Sequence, residues 1–132
     1  MYKIEKTDYG FKLVFEGFIQ APEMKDWYEE SKKVLESASP GFHVMVNIRK
    51  MKTLPQDAKA IFFEGQRYYI SKGAIRSAVI ASDVITKEQL KNLGLRSGIT
   101  EFEKYIDGSK PDWEQKALDW IINRVPPENE SP

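Results

Sequence analysis

Two short apolar runs constrain this chain more than any other feature. Phe42-His43-Val44-Met45-Val46-Asn47-Ile48-Arg49 and Ala78-Val79-Ile80-Ala81, the latter inside Ile75 to Ser82, are apolar at successive positions and rich in β-branched residues. Runs of that length are too short for typical helices, and apolar side chains on both faces require cover on both faces. That is the condition of a central strand. Amphipathic segments flank both runs, so the crossover connections that parallel pairing demands are available.

The rest of the chain fills in around them. Tyr2 to Asp8 alternates, and Phe11 to Ile19 places Phe11, Leu13 and Phe15 on one face, with Tyr9-Gly10 between them as the turn of a hairpin. From Pro22 to about Ser37, Met24, Trp27, Tyr28, Val34 and Leu35 recur at helical spacing, and Ser39-Pro40-Gly41 ends the segment. Pro55 opens a second helix with Ala58, Ile61, Phe62, Gly65, Tyr68 and Tyr69 on one face, ending near Ser71-Lys72-Gly73. Thr86 and Gln89 read as a capping box for a short third helix that stops near Gly94. A strand is expected around Thr100 to Ile106. Ser109-Lys110-Pro111-Asp112 then starts a last helix, carrying Trp113, Ala117, Leu118, Trp120, Ile121, Ile122 and Val125 and stopped by Pro126-Pro127. The order is ββαβαβαβα: an α/β fold with a mixed, mostly parallel sheet, an N-terminal hairpin and flanking helices.

With 132 residues, 41% of them hydrophobic, the chain holds one domain, placed at 1–125. Residues 126–132 carry nothing to bury and are expected to be disordered. Twenty basic and twenty acidic residues cancel, so no global field draws the chain to nucleic acid or an anionic membrane. No cysteine means no disulfide, no thiol nucleophile and no thiolate metal site. The charged start and the lack of any long apolar stretch predict neither export nor membrane insertion, which leaves the cytoplasm as the expected location.

The hairpin, the three αβ units and the closing segment resemble the SpoIIAA-like family of the STAS superfamily over nearly the whole chain, Tyr2 to Val125. The residues that carry the likeness are Phe102 in the last strand, Asp107 in the following loop, and Ala117, Trp120 and Ile121 in an Ala-x-x-Trp-Leu type helix. The resemblance implies a STAS-type domain. Classical members of that superfamily act as anti-sigma-factor antagonists, switched by phosphorylation of a Ser or Thr at the N-terminus of the helix after the second central strand. The usual Asp-Ser-Ser/Thr-Gly context is absent from Asn47 to Asp57, where Thr53 alone lies near the corresponding place. The SpoIIAA-like branch is also similar to lipid-binding CRAL-TRIO domains.

Thr53 has two readings, as a cap for the helix behind Pro55 or as a phosphoacceptor at its positive end. His43, the only imidazole, lacks a partnering nucleophile or further metal ligands at useful spacing and is read as structural. Glu29-Glu30, and Glu101 with Glu103, are read as solvated pairs. No nucleotide-binding fingerprint occurs. The expectation is therefore no enzyme and no cofactor. What stands out is aromatic density: Phe62 beside Phe63 and Tyr68 beside Tyr69, with Trp27 and Tyr28 on the preceding helix. Neighbours on a helix sit about 100° apart, so a core-facing stripe takes one ring of each pair fully and the other at its margin. A protein partner or second copy, or a small apolar or lipid-like ligand in a cleft lined by Phe62, Trp27 and Tyr69, is expected to cover the remainder. The competing explanation is a wide stripe covered by the third helix or the Met51 to Leu54 loop. The expected role is a non-enzymatic regulatory or protein-interaction domain, with ligand binding as the alternative.

Overall fold

The structure, a computed structural model, describes residues 1–97 and 102–127. In chain order the elements are β1 (Tyr2–Lys6), β2 (Gly10–Gly17), α1 (Ala21–Leu35), β3 (Phe42–Met51), α2 (Gln56–Ser71), β4 (Ala74–Ala81), α3 (Val84–Ser97), β5 (Glu103–Asp107) and α4 (Trp113–Asn123). The five strands lie side by side in sequence order. β1 pairs antiparallel with β2, and β2, β3, β4 and β5 run parallel. Thr7 closes the hairpin: its N–H donates to the Gly10 carbonyl at 2.9 Å, and its hydroxyl accepts the Gly10 N–H at 3.1 Å.

The two apolar runs are β3 and β4, and the pleat sorts their side chains between two separate cores. Val44, Val46, Ile48 and Val79 face the layer formed by α1, α2 and α3, together with Tyr105 of β5. Met45, Ala78 and Ile80 face the other side, where they meet Ile106 and the Ala117, Trp120 and Ile121 stripe of α4. Three helices cover one face of the sheet and one helix covers the other.

The three-helix layer is organised around Trp27. Its indole stacks on Phe62 (centroids 5.3 Å apart) and on Tyr69 (5.9 Å), while the ring of Phe15 meets it edge-on at 5.4 Å. Each such pair contributes about 0.5–1.5 kcal/mol beyond the area it buries. Phe62, Gly65 and Tyr69 follow one face of α2 at three- and four-residue steps, and Gly65 is the notch through which the indole passes. A methyl group at position 65 would overlap Cζ3 and Cη2 of Trp27. Tyr69 keeps its hydroxyl satisfied by a 2.8 Å hydrogen bond with Ser31 of α1, and burial pushes its ionisation far above the ordinary tyrosine range.

On the other face, Arg76 of β4 fastens α4. Its Nε and Nη2 donate to the Ile121 carbonyl at 3.1 and 2.6 Å, neutralising the negative end of the helix. Nη2 also lies 3.3 Å from Nε2 of His43. A guanidinium can only donate, so this ring nitrogen accepts and the imidazole is neutral. Burial first, then Arg76 and Arg124, hold His43 below its ordinary value of 6.5.

Several boundaries differ from the sequence expectation. α3 begins at Val84, and its cap is Asp83, whose carboxylate accepts the Thr86 N–H at 2.8 Å. Thr86 is buried, and the Gln89 side chain reaches instead across to the preceding loop, donating to the Leu54 carbonyl and accepting its N–H at 2.9 Å each. The helix also runs past Gly94 to Ser97. α4 begins at Trp113 and ends before the prolines, where Arg124 turns left-handed (φ 60°) and Val125 N–H bonds back to Asp119. Residues 98–101, within which the fifth strand was expected to start, lie outside the described residues, as do 128–132 of the expected tail. Glu103 is not solvated: it is 6% exposed and accepts a 2.5 Å hydrogen bond from the Tyr105 hydroxyl.

Two outcomes test this account. Gly65→Ala should destabilise the protein by about 1–3 kcal/mol in urea denaturation, although alanine favours a helix by about 1 kcal/mol over glycine; a neutral or stabilising result would show that Trp27 does not occupy the notch. His43 binds its proton less well folded than unfolded, so its contribution is complete above its ordinary value and is lost as the pH falls toward the depressed one. Unfolding free energy should therefore drop between about pH 7.5 and about pH 5.5, and His43→Gln should flatten that part of the profile.

Candidate functional site

The six aromatic side chains singled out from the sequence divide into two sets. Phe62, Tyr69 and Trp27 are buried and packed against one another. The void they border, together with Gln66 and Glu103, measures about 30 Å³. That is room for a water molecule and far less than the volume of a lipid. Phe63, Tyr68 and Tyr28 are half-buried at the margin, as the 100° step between neighbours requires.

The marginal rings are covered by the chain's own side chains. Tyr28 and Tyr68 meet edge-to-face with centroids 6.0 Å apart, and Lys32 and Lys72 lie over their faces at 4.6 and 5.7 Å. Phe63 carries Arg96 of α3 over its ring at 4.9 Å and Arg67 at 5.9 Å. Cations over ring faces gain the attraction of the ring quadrupole while keeping their own hydration. Met51 and Leu54, at the ends of the loop before α2, are buried in the core of this layer. The excess of rings on α2 is thus largely accommodated within one chain.

The surface left over belongs to α3. Its inward face carries Thr86, Leu90 and Leu93, all buried. Val84, Ile85 and Leu95 point outward, exposed to 73%, 72% and 56%. Eleven residues span about three turns, so Val84 and Leu95 fall within about 20° of each other around the axis, and Ile85 lies about 100° to one side. Exposed Glu88, Asn92 and Arg96 share this face. A helix that is apolar on two sides has one side without a core to enter. Sequence reading passed over these residues because it began the helix at Thr86, which removed Val84 and Ile85 from it. The signal was Asp83, a good N-cap three residues before Thr86.

Thr53 is exposed in the loop between β3 and α2. It does not cap the helix: the N-cap position is Pro55, and no side chain donates or accepts there. Among the described residues no three side chains of His, Asp or Glu gather as metal ligands, and no helix is long and apolar enough to cross a membrane. The acidic pair on α1 is exposed, Glu29 bridging Lys32 at 2.9 Å and Glu30 accepting the Tyr2 hydroxyl at 2.7 Å. Burial and that carboxylate push Tyr2 up to about 12.

No family model and no curated protein matches the sequence. Solved structures do: an uncharacterized protein of the DUF3478 family from Shewanella loihica PV-4, with a SpoIIAA-like fold, superimposes with a TM-score of 0.62 over 92% of each chain at 18% identity. An antiparallel hairpin leading a parallel sheet, three helices on one face and a closing Ala117-Trp120-Ile121 helix on the other make the fold of this chain SpoIIAA-like.

Proposed function

We propose that this is a non-enzymatic interaction domain of the SpoIIAA-like STAS type that docks another protein chain through the outer face of α3. The observation that carries the reading is the pair Val84-Ile85, two adjacent aliphatic side chains each more than 70% exposed on the first turn of a regular helix. Exposed apolar surface of this kind, rimmed by charge, marks contact sites.

The pattern on α3 is self-complementary, so the partner the face fits is a second copy of the chain. Packed antiparallel about a two-fold axis near position 90, Ile85 of each helix meets Leu95 of the other, and Glu88 meets Asn92. Val84 meets the aliphatic stem of Arg96. Every contact then occurs twice, which is what an isologous interface requires. One helix face is a small interface, which places the association among transient contacts rather than obligate ones. The alternative of an apolar ligand among Phe62, Trp27 and Tyr69 finds no support in the geometry, because the stack would have to open around a water-sized void.

Sedimentation velocity over a wide concentration range tests the proposal. The wild-type chain should sediment faster as concentration rises, and Val84→Glu with Ile85→Glu should hold it as a monomer with unchanged unfolding free energy, since neither side chain is in the core. A monomer at every concentration in both proteins would remove the self-docking reading. Tyr69→Ala should by contrast lower stability by about 3–5 kcal/mol as a large aromatic deletion does, without acting on the α3 face.

A further inference from the structure

The sheet has one place where its connections part. β2, β3 and β4 each lead into a helix on the first face, whereas β5 leads into α4 on the second. The chains leaving the carboxyl ends of β4 and β5 therefore diverge to opposite sides of the sheet. In open α/β sheets, ligands bind in the crevice outside the carboxyl ends of the strands at such a point. A cleft of about 360 Å³ opens there, lined by Asp83 of the β4–α3 connection and by Ser109 and Lys110 of the β5–α4 connection. Its size falls at the lower end of small-molecule sites, which run from about 300 to about 1,000 Å³.

The charged groups in the cleft are unequally committed. Asp83 spends its carboxylate on the first turn of α3. Asp107 accepts the N–H and the hydroxyl of Ser109 at 2.9 and 2.6 Å, and those donors hold it below the ordinary carboxylate range. Both acids are satisfied by local donors. The lysines are less fully engaged: among the described residues Lys116 reaches Asp112 at 3.9 Å, and Lys87 and Lys110 make no ion pair within 4.0 Å, although their charges also act on Asp107 and help to hold it ionised. Between them the wall is apolar, formed by Val84, Ile106 and Pro127.

We propose that this crevice binds a small organic anion, a carboxylate or phosphate monoester, with its charge on Lys87 and Lys110 and its apolar body against Val84, Ile106 and Pro127. The crevice shares Val84 with the docking face of α3, but its topology at β4 and β5 and its two lysines lie outside that stripe, so loss of self-association leaves anion binding to be tested separately.

Amide NMR titration of the full chain with phenyl phosphate, benzoate and inorganic phosphate tests it. Phenyl phosphate or benzoate should produce saturating shifts at residues 82–87 and 109–110, with inorganic phosphate weaker than either binder. Whichever aromatic anion binds identifies the charged group. Lys87→Gln with Lys110→Gln should weaken that binding about tenfold, as the loss of two solvent-exposed charge contacts does, while leaving the remaining resonances in place. Shifts that fail to saturate, that fall elsewhere, that persist unchanged in the variant, or that show no preference over inorganic phosphate would each overturn the assignment.

Discussion

The indole of Trp27 lies against two rings of the neighbouring helix, and it fits only because α2 has no side chain at position 65. This contact fixes how closely α1 and α2 approach, and with it the position of everything on that face. Phe15 closes the stack from the sheet, so strand, first helix and second helix share a single cluster of rings. Polar groups follow the same geometry: the hydroxyl of Tyr69 would be stranded in the core if Ser31 were not one turn beyond Trp27 to bond it. The void that the cluster borders is water-sized, so the rings pack against one another and do not enclose a guest.

The second face is held differently. α4 lies alone there, with a stripe of Ala117, Trp120 and Ile121, and polar contacts fix its register on the sheet. The Trp120 Nε1–H donates to the Ser77 carbonyl at 3.0 Å, and Arg76 grips the Ile121 carbonyl. At the other end of the helix the Arg49 guanidinium stacks on Trp113 at 4.2 Å and is steadied by the Oδ1 of Asn47. Gly108 permits this, since a side chain there would collide with the Arg49 stem. Because α4 alone crosses to this face, the connections after β4 and β5 separate, and the cleft at their ends is a consequence of topology more than of any one residue.

Function in this reading is divided between two surfaces that share Val84. The outer stripe of α3 offers aliphatic contact area to another chain, and the crevice at the start of the same helix offers cationic and apolar groups to a small anion. The first turn of α3 is capped by Asp83, and Gln89 of the next turn ties the helix to the loop after β3. Thr53 stands in that same loop, one residue before the Leu54 backbone that Gln89 holds.

The alternation of strand and helix, the central place of β3 and β4, and the split of each aromatic pair into a core ring and a marginal ring were all legible in the amino-acid sequence, because they depend on periods of two and 3.6 that any chain of these residues must obey. Which face each helix takes was not legible, since amphipathic helices fit either side of a sheet, and that choice alone places the cleft between β4 and β5. Nor was the fate of the marginal rings: Arg67, Arg96, Lys32 and Lys72 come over them only once α1, α2 and α3 lie side by side. The burial of Glu103 likewise depends on Tyr105 and on the layer above it. Local sequence sets which groups need cover, and tertiary packing decides which of them receive it. Val84 and Ile85 remain outside because, among the described residues, α3 is the last helix of its layer and has no neighbour beyond it.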